Sequence, residues 1–222
     1  MKIVLCILLY MSFVLHSQPW KQQHQGKVLF EADFSTLSDL SAWHQHGGKP
    51  GQWSIKNGKL VSGPQHTGWL TLPASIHAKN VAIQADIRIV SAKEPARWVS
   101  VFARQNDPDK QLFTQMPLRQ NLYTEIADSL VFKGEKPYIS WYVYIAKRLY
   151  DKKPNDAIRT FRLECRDNLV TTFMDGKFLC MSQVAPDNIM DGRLGIMVSN
   201  VSVEIERIRV EALDGKTEEE IQ

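Results

Sequence analysis

The sequence predicts an all-β protein, a two-sheet antiparallel β-sandwich of the jelly-roll kind. Apolar and polar residues alternate through run after run, the period-2 signature of half-buried strands. Turn dipeptides that tolerate positive φ punctuate those runs, Asn57-Gly58 and Asp175-Gly176 foremost. Helix signals are scarce. Both features are dense between Ile158 and Val210, where IRTFRLECRDNLVTTFMDGKFLCMSQ gives way to a loop and then to GRLGIMVSNVSVEIERIRVEAL. There Phe161, Leu163 and Cys165 share one face opposite Arg162, Glu164 and Arg166. Val201, Val203 and Ile205 point inward, with Ser202, Glu204 and Glu206 outward. About a dozen short strands favour a two-sheet jelly roll over an immunoglobulin-type sandwich.

The strands follow in order. Residues 18–26 form a polar, mobile lead-in. KVLFEADF opens the domain with Val28, Phe30 and Ala32 inward, and a short helical turn is expected within 35–43, capped by Ser35 or Ser38. QWSIKNGKL is a hairpin, and Trp69 to Leu72 a further strand. VAIQADIRIV alternates most cleanly: Val81, Ile83, Ala85, Ile87 and Ile89 form one face, with Gln84, Asp86 and Arg88 on the other. WVSVFARQ sets Val99, Val101 and Ala103 against Ser100, Phe102 and Arg104. Two prolines make 106–119 a loop. LYTEIA puts Tyr123 and Glu125 opposite Leu122, Thr124 and Ile126, and SWYVYIAK is an aromatic strand. The domain spans 27–213, and 214–222 is an acidic, frayed tail.

The chain has 222 residues, enough for one substantial core, with no internal repeat and no linker. Lys and Arg (27) barely exceed Asp and Glu (24), for a net charge of +3, and no nucleic-acid-binding motif is present, so a nucleic-acid partner is not expected. Residues 1–17 place Lys2 before an apolar run, Ile3 to Leu15, with the small Ser17 before Gln18. That order reads as a cleaved signal peptide and a secreted or periplasmic protein, with no membrane span after cleavage. The competing reading is a retained anchor, because Leu15 is a mediocre residue three positions before the cut.

Cys165 and Cys180 remain after cleavage. With two-residue turns at 167–168 and 175–176, Val170 opposes Cys165 and Thr171 opposes Cys180, so the sulfurs lie two strands apart on opposite faces and do not bridge. His44-Gln45-His46 is a local pair without a third ligand at metal spacing, so no metal site is expected.

The order of EADF and a following Trp, QWSIKNGKLVSG, VAIQADIRIV, WVSVFARQ, LYTEIA, FMDGKFL and the final long strand resembles the concanavalin A-like lectin/glucanase jelly roll. Within it the chain is most similar to the bacterial 3-keto-disaccharide hydrolases, from about Val28 to Leu213. That resemblance implies carbohydrate as partner and cleavage of sugars oxidised at C3, by elimination beside the ketone. The alternative is a lectin-like domain that holds glycan without cutting it.

The glucanase pattern E-x-D-x-x-E, which aims carboxylates at one face of a strand, is missing. Glu204 and Glu206 are placed on the outer back of the domain. Arg162-Leu163-Glu164-Cys165-Arg166 matches the R-x-E-x-R spacing of alginate-lyase-like enzymes, but their companion segments are missing, and a solvated cross-strand charge ladder is expected. The remaining candidates are Glu125 as general base and Arg104 as oxyanion stabiliser. Each lies opposite its strand's apolar residues, and the resemblance implies that both strands belong to the concave sheet. Asp86 and Arg88 on a neighbouring strand, with Tyr123, are the expected substrate-binding residues.

Overall fold

The structure, a computed structural model, describes residues 23–47, 52–63, 66–76, 78–105, 107, 109, 113–132, 138–149, 153–154, 156–184 and 192–214. The expected signal peptide lies outside them. No described residue is helical, and no helix among them is long and apolar enough to cross a membrane.

The strands are β1 (Lys27–Asp33), β2 (His44–His46), β3 (Trp53–Lys56), β4 (Lys59–Ser62), β5 (His66–Thr71), β6 (Val81–Ala92), β7 (Trp98–Gln105), β8 (Thr114–Arg119), β9 (Tyr123–Phe132), β10 (Tyr138–Arg148), β11 (Arg159–Arg166), β12 (Leu169–Met174), β13 (Lys177–Gln183) and β14 (Arg193–Ala212). All pairings are antiparallel, and β14 connects them. Its first half lies between β5 and β7, in a front sheet ordered β2-β5-β14-β7-β8-β9-β10. Its second half lies between β6 on one side and β4 and β1 on the other, in a back sheet that continues through β11, β12 and β13.

One strand serves both sheets because the parity of its inward row changes twice. The core-facing residues are Leu194, Ile196 and Val198, then Val201, Val203 and Ile205, then Ile208 and Val210. Their parity changes at Asn200, which has a φ of 52°, and again between Ile205 and Arg207. Each extra residue is a β-bulge, which lets the strand turn while its apolar row stays inside. The clean alternation of β6 holds: Val81, Ile83, Ala85, Ile87 and Ile89 are all buried in the same core as Val99, Val101 and Ala103 of β7.

Several expectations are corrected. The stretch 106–119 is not all loop, because Thr114–Arg119 is the interior strand β8. Pro117 is tolerated because the β8–β9 pairing skips positions 116 and 117. After β1 there is no helical segment; Asp33 caps a turn instead, its Oδ1 accepting from the Ser35 amide at 2.9 Å and hydroxyl at 2.6 Å. Cys165 and Cys180 are both free and buried, but in one core rather than on opposite faces. A bulge between Thr172 and Phe173 sets Cys180 opposite Thr172 instead of Thr171. The intervening strand β12 keeps the sulfurs apart, since two strand spacings come to roughly 9.6 Å.

The charge ladder on β11 is not solvated. Arg162, Glu164 and Arg166 are all buried. Arg162 donates to Glu164 at 2.7 Å and to Glu211 of β14 at 2.9 Å, and Arg209 closes on Glu211 at 2.8 Å. The described end of the lead-in covers them. The His24 amide donates to Glu164 at 3.0 Å, its ring lies 2.8 Å from the other carboxylate oxygen, and its carbonyl accepts from Arg162.

Candidate functional site

The outer face of the front sheet, away from the shared core, is where Glu125 and Tyr123 lie. On β7 the core takes Val99, Val101 and Ala103, so Trp98, Ser100 and Phe102 turn outward. Cross-strand register carries that face along the sheet: Trp98 pairs with Arg119 of β8, Phe102 with Gln115, and Met197 of β14 with both Ser100 and Trp69. The result is a second apolar cluster, separate from the core: Trp69, Phe102, Phe113 and Met197, with Trp98 packed against it. Phe102 and Phe113 stack at 4.2 Å. Gly195 makes room for this, because a Cβ there would run into the Phe102 ring and the Leu70 carbonyl.

Beside this cluster is a polar and aromatic strip. Thr124 and Ile126 are buried with no exposure, and Glu125 between them turns outward. Arg119 grips its Oε1 with two nitrogens, Nε at 2.9 Å and Nη2 at 2.8 Å, while Nη1 donates to the Ala96 carbonyl at 2.8 Å. The same guanidinium sits over the Trp98 ring, 5.3 Å from its centroid. Tyr123, 39% exposed, lies on Glu125's side of β9, with the Arg148 guanidinium 5.8 Å from its ring. Chemically the strip offers one anchored carboxylate, two guanidinium groups and two aromatic faces, which suits a ligand with many hydroxyls and apolar C–H faces.

The other expected residues are elsewhere. Arg104 has a φ of 67°, in the left-handed region, where alternation fails. Its side chain is 1% exposed and crosses the core, donating to the Asp167 carbonyl in the β11–β12 turn of the back sheet. It therefore shares no groove with Glu125, and the guanidinium beside that carboxylate belongs to Arg119. Sequence reading missed Arg119 because it fell at the end of a supposed loop.

Asp86 and Arg88 face outward from the back sheet, since the chain crosses the sandwich between β6 and β7. Asp86 accepts from Thr160 at 2.7 Å and from Arg207 at 3.1 Å. Arg88 donates to Glu204, whose carboxyl its hydrogen bond holds below the usual range, and Lys59 bridges Glu204 and Glu206 at 3.1 Å each. Glu204 and Glu206 are thus tied into surface ion pairs on the outer back.

A separate cavity of about 660 Å³ opens where the end of β10 meets the β12–β13 hairpin, with Lys147, Lys153 and Lys177 around Phe178 and Leu179. It contains none of the expected site residues.

No protein-family model matches the sequence, and no curated protein matches it. Solved structures do match. An endo-β-1,3-glucanase from Pyrococcus furiosus aligns at 12% identity with a TM-score of 0.62, over 87% of this chain and 97% of that one. A protein of unknown function with a galectin-like fold from Bacillus subtilis aligns at 11% identity and TM-score 0.64, over 87% and 100%. The carbohydrate-binding module CBM66 from Bacillus subtilis aligns at 12% identity and TM-score 0.58, over 79% and 99%. At such identities the likeness is one of fold: the chain is an all-β antiparallel jelly roll.

Proposed function

We propose that this chain is a carbohydrate-binding protein whose sugar surface is the strip Trp98, Arg119, Glu125 and Tyr123. The observation that carries the reading is the Glu125 carboxylate held by Arg119 at 2.8 and 2.9 Å, between an aromatic ring on β7 and one on β9. Such a pair presents acceptors and donors at fixed positions to sugar hydroxyls, and the exposed Tyr123 ring offers a surface for the C–H side of a pyranose. Support comes from the solved neighbours, which include a carbohydrate-binding module and glucan-cleaving enzymes. A glycosidase working with paired carboxylates needs its two carboxyl groups roughly 5–9.5 Å apart. The strip supplies one carboxylate, Glu125, with a guanidinium beside it.

The second reading is cleavage of 3-keto-glycosides, and the same ion pair favours it. Elimination needs one base and one anion stabiliser rather than two carboxylates. Glu125 would take the proton from C2, C1=C2 would form as the C1–O bond breaks, and the aglycone oxygen would take that proton back from Glu125 and leave as an alcohol. Arg119, rather than Arg104, would face the enolate oxygen.

Both readings suppose export, which rests on the pattern of residues 1–17. Mass spectrometry of the exported protein should show an N-terminus near Gln18. Glycan-array binding by the purified chain, run beside turnover of 3-keto-glycosides, separates the two functions. Binding without turnover is the expected result, and the absence of both would overturn the carbohydrate reading.

A further inference from the structure

We propose that His44, His46 and Asp109 form a binding site for a divalent transition-metal ion, of which Zn²⁺ is the representative. His44 and His46 are alternate residues of β2, so the strand aims both imidazoles to one side. Asp109 comes from the segment between β7 and β8, and it supplies the third ligand that spacing along the chain did not reveal. His44 Nε2 lies 3.1 Å from Asp109 Oδ1, and His46 Nδ1 lies 3.5 Å from the same oxygen. The three ligand atoms all fall within 4.8 Å of one another.

These separations suit a metal. With Zn–N and Zn–O bonds of about 2.0–2.1 Å, the edges of a tetrahedron are about 3.3–3.4 Å. The two edges to Asp109 straddle that value, and the third, between the two imidazoles, is no longer than 4.8 Å. Two imidazoles and one carboxylate select transition metals over Ca²⁺ or Mg²⁺, which prefer oxygen alone.

The ligands are also positioned from behind. The His46 ring stacks on Trp69 at 4.2 Å, and Trp69 is fixed in the apolar cluster of the front sheet. The Asp109 amide donates to Asp107 Oδ1 at 3.0 Å. Outer partners of this kind hold ligands in place. The His44 and His46 side chains are 39% and 35% exposed and Asp109 is 69% exposed, so an ion can reach them from solvent. Three protein ligands leave a tetrahedral ion one open position for water or a ligand oxygen.

The proposal does not depend on the carbohydrate reading, and its test needs no sugar. The full chain, purified without a polyhistidine tag, is titrated with Zn²⁺ against a chromogenic chelator, and the Co²⁺ complex is read by its visible absorption. One equivalent per chain is expected, with tetrahedral-type Co²⁺ bands. His44→Ala and Asp109→Asn should each weaken binding by about tenfold or more. His46→Phe keeps an aromatic ring on Trp69, so loss of binding in that folded variant reports the ligand itself. His24→Gln, remote from the cluster, should bind as wild type does. Less than one equivalent in the wild type, or full binding in a His44→Ala/His46→Phe double variant, would overturn the site.

Discussion

Arg104 of the front sheet donates through the core to the backbone carbonyl of Asp167 in the back sheet. This bond joins the two layers at the turn of the β11–β12 hairpin. It also explains why a residue in a strand of alternating pattern is buried and not in a groove.

Truncation of Arg104 should therefore act on stability and not on ligand binding. Arg104→Ala removes a long buried side chain and leaves the Asp167 carbonyl without this donor, and a loss of about 2–4 kcal/mol is expected. Arg104→Met fills most of the space and should lose less, because Nε and Nη1 of the native arginine are buried without hydrogen-bond partners. Denaturant unfolding of both variants, beside glycan binding, checks this. Equal stability of Arg104→Ala and wild type would contradict it.

The covered ion-pair network makes the fold acid-sensitive. Burial raises the Glu211 pKa, but hydrogen bonds and charge from Arg162 and Arg209 outweigh it and hold the carboxyl below its ordinary value of 4.5. A depressed pKa contributes stability that is complete above the unfolded value and disappears as pH falls through the folded one. Stability should thus decline below about pH 4.5, and Glu211→Gln should flatten that decline. Near neutral pH, Arg162→Met should cost about 3–5 kcal/mol, because it removes the guanidinium that two buried carboxylates share. Urea midpoints measured across pH decide both points.

Burial raises the pKa of both cysteine thiols above the usual 9.0, by desolvation in each case. For a raised pKa the sign is opposite: the stabilisation is full below the unfolded value and is lost as pH climbs past it. Native protein should therefore react slowly with thiol reagents near neutral pH and lose stability above about pH 9. Denatured, non-reduced protein lacking residues 1–17 should titrate two thiols, Cys165 and Cys180. A Cys165–Cys180 bridge would contradict the register of β11, β12 and β13.

Alternation made much of this fold legible. It set the inward rows of β6 and β7, the outward turn of Glu125 and Tyr123, and the hairpins at Asn57-Gly58 and Asp175-Gly176. What it could not show depends on single residues that break the period. The φ of 67° at Arg104 sent a supposed site residue into the core, and one bulge moved Cys180 by a register step. Pro117 hid β8, and with it Arg119. Sheet membership was also hidden, since alternation fixes a face but not a layer, and this is how Asp86 and Arg88 came to be expected beside Glu125. The meeting of His44 and His46 with Asp109 is a contact between distant segments, invisible to spacing along the chain.

For the Glu125 carboxylate, the two functional readings differ in what Glu125→Gln removes. If the chain cleaves 3-keto-glycosides, the variant should turn over roughly 10²–10⁴-fold more slowly with an unchanged melting curve. If it only binds, the variant should lose affinity and show no change in a turnover that is already nil. Thermal melts of both proteins accompany the assay, and unfolding of the variant would show the Arg119 pair to be structural.

The central claim is that carbohydrate meets the outer face of the front sheet around Trp98. Affinity electrophoresis in glycan-containing gels tests it with one set of variants: Trp98→Ala and Arg119→Ala on the front, Arg88→Ala on the back and Arg104→Met in the core. The account predicts that both front variants lose retention by about tenfold or more in affinity, which is about 1.4 kcal/mol, while the back and core variants migrate as wild type does. Retention unchanged by Trp98→Ala and Arg119→Ala, or lost with Arg88→Ala, would contradict it.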